Sequence, residues 1–445
     1  MNKKLLYLCI LLVASVIARL FYAGIHPTPI INADSYGYFG IAREILEKPE
    51  LSTFVNQYRT PVYPTMLALL TVVNGDNDTS LDDPSFKPVL NQLVFIQSLA
   101  AVLCNGIIYL LLLQLSAPVF LAFIVSLLFS LNVYLYPLEH AVMTDSLANS
   151  LLVALTFLAI SLIQKPSIKV YVIFGVISAV SWLLRPNLLL IPFVTLPFFW
   201  FISSHRRYLR INTTILLFSI LLPVVFVLLN SKYHGYKGIS QASEIALLGR
   251  ILEFRLPLEA GKQYKTYYGS IHEYWRLKDG EPSPFRYIDV FTPLTYVDTA
   301  LMMELRSFDR AVILANLPEY IFKSILYIPY IFSDRAPLLG FDENASGGLT
   351  GFYSLVWNAS KIIWHAGYLV FFLWPISVFF YFRKPSSMHL IPVLLGGIGV
   401  SQLLIIVLFD YYEYGLYSRL SSTVQLQVYL FLIVMLHQHI FRKKI

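Results

Sequence analysis

The chain has 445 residues, of which 57 % are hydrophobic and 13 % charged, with a mean hydropathy of +0.65. Soluble domains carry about 25 % charged residues, so this composition excludes an ordinary water-soluble globule. The formal charge of +7 and the pI near 9.1 come largely from short segments between apolar runs, which membrane orientation explains without nucleic acid or another polyanion.

The chain opens with Met1-Asn2-Lys3-Lys4 before an apolar run, the outline of a signal peptide. That run passes through Arg19 into Phe21 and Tyr22 with few small residues near its end, so it reads as an uncleaved first helix with its N-terminus in the cytoplasm. Apolar runs at 5–24, 88–114, 119–137, 145–163, 169–184, 186–203, 211–229, 352–382, 389–409 and 422–440 predict an all-α polytopic membrane protein with about ten spans. With the N-terminus inside, Lys3/Lys4, Lys165/Lys169, His205 to Arg210, Arg383/Lys384 and Arg442 to Lys444 all fall on the cytoplasmic side, together with the C-terminus. Cys9 and Cys104 both lie in apolar runs, which leaves no disulfide framework and no cysteine-rich metal site.

This pattern divides the chain into an N-terminal transmembrane module (1–229) with an external loop at 25–87, a large external region (230–351), and a C-terminal transmembrane module (352–445). Within the first loop, Tyr63 to Val73 is apolar but too short to span, so it predicts a helix at the interface. The large region predicts helical pieces around 243–255 and 311–327, and a second interfacial helix over Tyr320–Phe332, all packed over the outer mouth of the bundle. Its residues Arg250, Arg255, Lys262, Arg306, Arg310, Lys323 and Arg335 read as mostly solvated.

The candidate chemistry lies on the external side. Asp34 follows the first span by about ten residues; Asn32, Asp34 or Ser35 is placed to cap a helix running to Leu46. A carboxylate there either caps that helix or takes a proton from an incoming hydroxyl or amine. Glu139, His140 and Asp145 reach the same side, where carboxylates are costly unless paired, hydrated or metal-bound. For Asp145 the simpler role is again a helix cap; as a group, the three are candidate ligands of a divalent cation, with no diagnostic spacing. Arg59, Arg185 and Arg419 sit beside spans, where a planar guanidinium suits a phosphate at headgroup depth. Snorkelling toward lipid headgroups is the plainer reading of these arginines, above all of Arg419 among its aromatic neighbours.

Two segments of the first loop, Ala33 to Leu46 and Tyr58 to Pro64, resemble the start of the lipid-linked-sugar-dependent membrane glycosyltransferases of the GT-C superfamily, which include bacterial aminoarabinose transferases and protein O-mannosyltransferases. Met143-Thr144-Asp145-Ser146-Leu147 resembles the family's second acidic position, and Gly175 through Arg185-Pro186 a third feature, so the resemblance covers about the first 200 residues. The chain departs from the family at Ser35, where an acidic residue often follows the first one, at Thr60 in place of a first proline, and at Asp145 in place of the commoner glutamate.

The resemblance implies a GT-C-type bundle and inverting single-displacement transfer from a polyprenyl-phosphate-linked sugar, its tail among membrane lipids, to a glycan, lipid or protein acceptor. It implies Asp34 as the catalytic carboxylate, and Arg59 with Tyr58, Tyr63, Arg185 and Arg419 as the group that binds donor phosphate or acceptor. It implies no particular cofactor, with a divalent cation as the one candidate. The implied place is a bacterial inner membrane with the site on the periplasmic face. A lipid-linked glycan polymerase shares these features; a transporter or flippase would instead place ionisable residues near the bilayer midplane.

Overall fold

The computed structural model describes residues 2–74, 80–81, 83–132, 134–277, 283–293, 298–333, 358, 361–384, 386–412 and 416–436. Among these residues the regular structure is helical, and the β-type pairing is one isolated parallel bridge between Ile30 and Ala141. Six helical stretches are long and apolar enough to cross a membrane: Lys3–Ile25, Pro84–Gln114, Asp145–Gln164, His205–His234, Lys361–Arg383 and His389–Phe409. Shorter apolar helices at Val119–Ser130, Ile168–Leu184, Pro186–Phe201 and Gln425–Leu436 occupy the other predicted spans. Helices satisfy their backbone polar groups internally, as a hydrocarbon environment demands. Leu20, Phe95, Leu217 and Leu228 leave their side chains exposed on the outer faces, an apolar exterior that suits lipid and not water. The protein is an integral, polytopic, all-α bundle.

Small residues allow close helix approach. A Cβ on Gly396 would lie 2.5 Å from Trp374 Cδ1 and 2.9 Å from Phe431 Cε2, so glycine is required where His389–Phe409 meets its two apolar neighbours. Helix direction sorts the charges. Ile168–Leu184 ends at Arg185, Ser387–Phe409 ends at Asp410, and Asp145–Gln164 begins at Asp145. Lys165, Lys169 and Lys384 lie at the opposite ends of these helices or of their neighbours, which matches the predicted charge asymmetry. The basic tail at 442–444 lies outside the described residues.

The structure corrects three expectations. The run read as a span over 119–137 is helical only over Val119–Ser130; Asn132 then accepts from the Tyr134 backbone N–H (3.2 Å) and donates to Gln425 (3.2 Å), and a separate short helix, Tyr136–His140, follows. In the large region, helices occur at Gln241–Phe254, Lys265–Leu277, Pro284–Phe291, Thr299–Ala315, Leu317–Leu326 and Ile328–Ser333. The predicted continuous piece at 311–327 and the interfacial helix over 320–332 are both broken. Pro318 interrupts the first turn after Asn316, and the stretches Thr299–Ala315 and Leu317–Ser333 are bent by 87°.

The third correction concerns the arginines taken as solvated. Arg250 is fully buried. It donates to Glu253 at 2.7 Å, to the Val407 carbonyl and to the Tyr417 hydroxyl, and so fastens Gln241–Phe254 to the end of Ser387–Phe409. Arg306 pairs with Glu244 at 3.5 Å with little exposure. Arg255, Lys262 and Arg310 are exposed as expected. The helices of this region share their own apolar core, built on residues such as Leu248, Tyr267, Ile288, Leu305 and Phe308, against which Leu408 packs. Residues 334–357, including the 340–351 stretch and Arg335, lie outside the described residues.

Candidate active site

Extended backbone after the first helix builds the site. The Ile30 N–H donates to the His140 carbonyl (2.9 Å) and the Val142 N–H to the Ile30 carbonyl (3.0 Å), which ties the start of one acidic helix to the segment leading into another. Gln97 reinforces the junction by donating to the Glu139 and Ala141 carbonyls at 2.8 and 3.0 Å. Asn32 then caps Ala33–Glu47 through a capping box with Ser35, whose hydroxyl also donates to the Val142 carbonyl at 3.0 Å. Because Asn32 takes the cap, the Asp34 carboxylate is released from that role.

Asp34 is instead held by two arginines. Arg59 donates to its Oδ1 at 2.5 Å and Arg419 to its Oδ2 at 3.1 Å. Arg59 is stacked over the rings of Tyr58 and Tyr38, with centroids 4.7 and 5.1 Å away. Its loop is anchored on both sides. Thr60 donates to the Leu184 carbonyl (3.2 Å), Ser240 to the Tyr58 carbonyl (2.6 Å), and the Gln241 N–H to the Gln57 carbonyl (2.9 Å). Burial raises the Asp34 pKa, but the charges of Arg419 and Arg59 outweigh it and hold the carboxyl below its ordinary range.

Asp145 follows Thr144, which makes no side-chain cap, and accepts from Arg185 at 2.7 Å. Arg185 ends its helix because Pro186 follows, and the residue before proline is driven to extended backbone. These groups line one cavity of about 490 Å³ with Tyr38, Thr60, Thr144, Asn187, Ser240, Ser243 and Asp410. Ile405, Ile406, Phe409, Leu184 and Leu189 give it an apolar wall. Five of the predicted residues therefore converge from five chain segments: Asp34, Arg59, Asp145, Arg185 and Arg419. Arg419 reaches Asp34 and is not simply directed toward headgroups.

Four other candidates lie elsewhere. Tyr58 supports Arg59 from the side, and Tyr63 is fully buried behind Tyr38, with its hydroxyl donating to Gln97 at 3.2 Å. Glu139 is engaged by Arg19 through two bonds of 2.7 Å. His140 packs against the Tyr22 ring at 4.8 Å and lines a separate cavity of about 350 Å³ beside the first helix. Burial and His26 lower its pKa to about 4, which keeps the imidazole neutral. Glu139 and Asp145 share only a crevice of about 10 Å³. Among the described residues no group of three or more His, Cys, Asp or Glu side chains is placed to hold a metal ion. The proposed ligand set Asp145, Glu139 and His140 therefore does not fit one, because each carboxylate already faces its own guanidinium.

Sequence reasoning missed Asp410, the third carboxylate of the cavity. Its signal was present: an acidic residue directly after a span, followed by Tyr411 and Tyr412.

The fold and site define an integral membrane protein with a charged cavity at one set of helix ends. No protein-family model and no curated protein matches the chain. It is similar to solved structures of an oligosaccharyltransferase from Archaeoglobus fulgidus: the form tethered with an acceptor peptide (16 % identity, TM-score 0.44), the apo form (13 %, 0.47) and a complex with an inhibitory peptide and a dolichol-phosphate (16 %, 0.46). These likenesses cover 99 % of this chain and 50 %, 51 % and 51 % of the respective structures, so the chain spans about half their length.

Proposed function

We propose that the protein is an inverting membrane glycosyltransferase that moves a sugar from a polyprenyl-phosphate-linked donor to a cell-envelope glycan, lipid or protein acceptor on the extracytoplasmic face. The observation that carries this reading is Asp34 held between Arg59 and Arg419 in a cavity with one apolar wall. A guanidinium carries five N–H donors, and Arg59 and Arg419 each give one Nη to Asp34. Two adjacent guanidiniums at the end of an apolar wall suit a phosphate whose lipid tail lies along that wall. The resemblance of Ala33 to Leu46 and Tyr58 to Pro64 to lipid-linked-sugar transferases points the same way.

In this reading Arg59 and Arg419 bind the donor phosphate and stabilise the negative charge that develops on it as the glycosidic bond breaks. Asp34 fixes both arginines and orients the acceptor. Arg185, held by Asp145, adds positive charge on the adjoining wall. Transfer is a single displacement at the anomeric carbon, so no covalent sugar–enzyme intermediate forms.

The test is turnover by the purified protein of radiolabelled undecaprenyl-phosphate hexoses and pentoses with a panel of acceptors. Release of undecaprenyl phosphate with inverted product is expected. Failure to turn over any lipid-phosphate sugar, with uptake of labelled lipid or sugar into proteoliposomes instead, would replace this reading with transport.

A further inference from the structure

Three aspartates line the cavity, and their surroundings differ. Arg59 and Arg419 bond the two oxygens of Asp34, and Arg185 bonds Asp145. A carboxylate bonded to guanidinium is a weak proton acceptor, because its negative charge is already stabilised. Asp410 has no such bond among the described residues: what acts on its carboxylate is burial and the charges of Arg185, Arg250 and Arg419, with no hydrogen bond.

The backbone of Asp410 is nevertheless fixed. Its N–H donates to the Ile406 carbonyl at 3.0 Å, and its own carbonyl accepts from the Tyr417 hydroxyl at 3.0 Å. Arg250 locks Tyr417 and the Val407 carbonyl in turn. Asp410 is thus a half-buried carboxylate on a rigid support, and it lines the same cavity as Asp34 and the arginines.

We infer that Asp410 is the proton acceptor of the transfer reaction, while Asp34 organises the arginines that receive the leaving phosphate. This rests on the glycosyltransferase reading. The acceptor hydroxyl oxygen forms a bond to the anomeric carbon as the bond from that carbon to the phosphate oxygen breaks. The bonding pair leaves with the phosphate between Arg59 and Arg419, and the hydroxyl proton passes to an Asp410 carboxylate oxygen.

The surrounding charges agree with this role. Burial raises the Asp410 pKa to about 6, and Arg185, Arg250 and Arg419 pull against that rise without cancelling it. Tyr417 and Tyr320 are the neighbouring phenols, each itself pushed above its ordinary range by burial. A base is most effective when its pKa lies near the working pH. Of the two, Asp410 meets that condition, and Asp34, held low, does not.

The experiment has a spectroscopic arm and a kinetic arm. The infrared spectrum of the purified protein is followed from pH 4 to 8, and a protonated-carboxyl band is expected to vanish with a midpoint near 6 and to be missing in Asp410→Asn. Release of undecaprenyl phosphate from undecaprenyl-phosphate sugars is then measured over the same range. Wild-type kcat/KM should rise with pH to a plateau above about 6. Asp410→Asn should lower kcat by about two to four orders of magnitude and lose the acid limb; Asp410→Glu should recover part of the rate and a limb. Thermal unfolding checks that each variant is folded, and the glutamate variant separates chemistry from collapse. Transfer that survives Asp410→Asn with its acid limb intact overturns the assignment alone, as does the absence of any carboxyl band that this substitution removes. Absence of transfer by the wild type overturns the functional reading and this assignment with it.

Discussion

Two charged groups lie near helix ends of this bundle, and they are built oppositely. In the first, Arg19 gives Nε and Nη2 to Glu139 and Nη1 to the Ser15 hydroxyl and carbonyl, so each of its nitrogens has a partner. Asn105 completes the set by donating to Ser15, and Tyr136 lies under the guanidinium. In the second, Arg59 and Arg419 each make one bond to Asp34, and each leaves Nε without a partner among the described residues. The side chains of Arg19 and Glu139 are 8 % and 3 % exposed, against 19 %, 22 % and 29 % for Arg59, Arg419 and Asp34. A saturated, closed pair joins helices, whereas the second group is partly open and lines the cavity, as the proposed binding of a charged ligand requires. Counting acidic and basic residues near the span ends does not separate the two cases; counting their hydrogen bonds does.

The largest expected effect breaks the closed pair. Glu139→Gln leaves the Arg19 charge buried without its counter-ion, which costs about 3–5 kcal/mol of stability. Thermal or detergent unfolding should show this loss, while the fraction that remains folded keeps wild-type kcat/KM. A stable Glu139→Gln protein with lost transfer would move Glu139 into the active site and erase the contrast.

Asp34→Asn reverses that expectation. The amide keeps the size of the side chain, and Asn32 still caps the helix, so stability should change little. Transfer should fall by about 10²–10³-fold, the range for losing one preorganised charged group around a developing anion, because Arg59 and Arg419 lose their common anchor. Near-normal turnover would end the role given to Asp34.

Arg59→Ala should be somewhat milder, lowering kcat/KM by about 10²-fold and raising KM as well, since phosphate is held before and during bond breaking. Arg59→Lys should recover only part, because a point charge reproduces neither the fork nor the stacking on Tyr38 and Tyr58. Full recovery by lysine would show that only net charge matters at this position.

These contrasts also mark what was legible in the chain. Apolar runs located the six helices long enough to cross a membrane and the shorter apolar helices at Val119–Ser130, Ile168–Leu184, Pro186–Phe201 and Gln425–Leu436, because a bilayer forces length and composition together. The charged ends Asp34, Arg59, Asp145, Arg185 and Arg419 were visible for the same reason, as costly residues beside spans. Their partners were not visible. That Glu139 faces Arg19, 120 residues away, while Asp145 faces Arg185, depends on which helix faces meet in three dimensions. The turn at Asn132 was hidden because the apolar run continues through Leu138, and a side chain on another helix, Gln425, contributes to the break. Asp410 was passed over because it lacks the flanking motif that drew notice to Asp34.

The smallest effect sharpens the comparison within the open group. Ser35 does two things at once: its backbone N–H and hydroxyl complete the capping box with Asn32, and its hydroxyl donates to the Val142 carbonyl across the Ile30–Ala141 bridge. Ser35→Ala keeps the cap received from Asn32 but removes the reciprocal bond and the cross-segment one. Losing one such cap or buried hydrogen bond costs about 1 kcal/mol, so the melting temperature should drop modestly. Asp34 sits one residue earlier on the same first turn, and the Val142 contact sets that turn's position relative to Asp145. A shift of a few tenths of an ångström there should lower kcat by less than about 10-fold, well short of the 10²-fold that larger misplacement produces, and KM should hold because Arg59 and Arg419 remain in place. Measuring kcat and KM of Ser35→Ala beside Asp34→Asn separates the two contributions. If Ser35→Ala lost stability but no rate, the capping box would be purely structural, and the orientation of Asp34 would be set by its arginines alone.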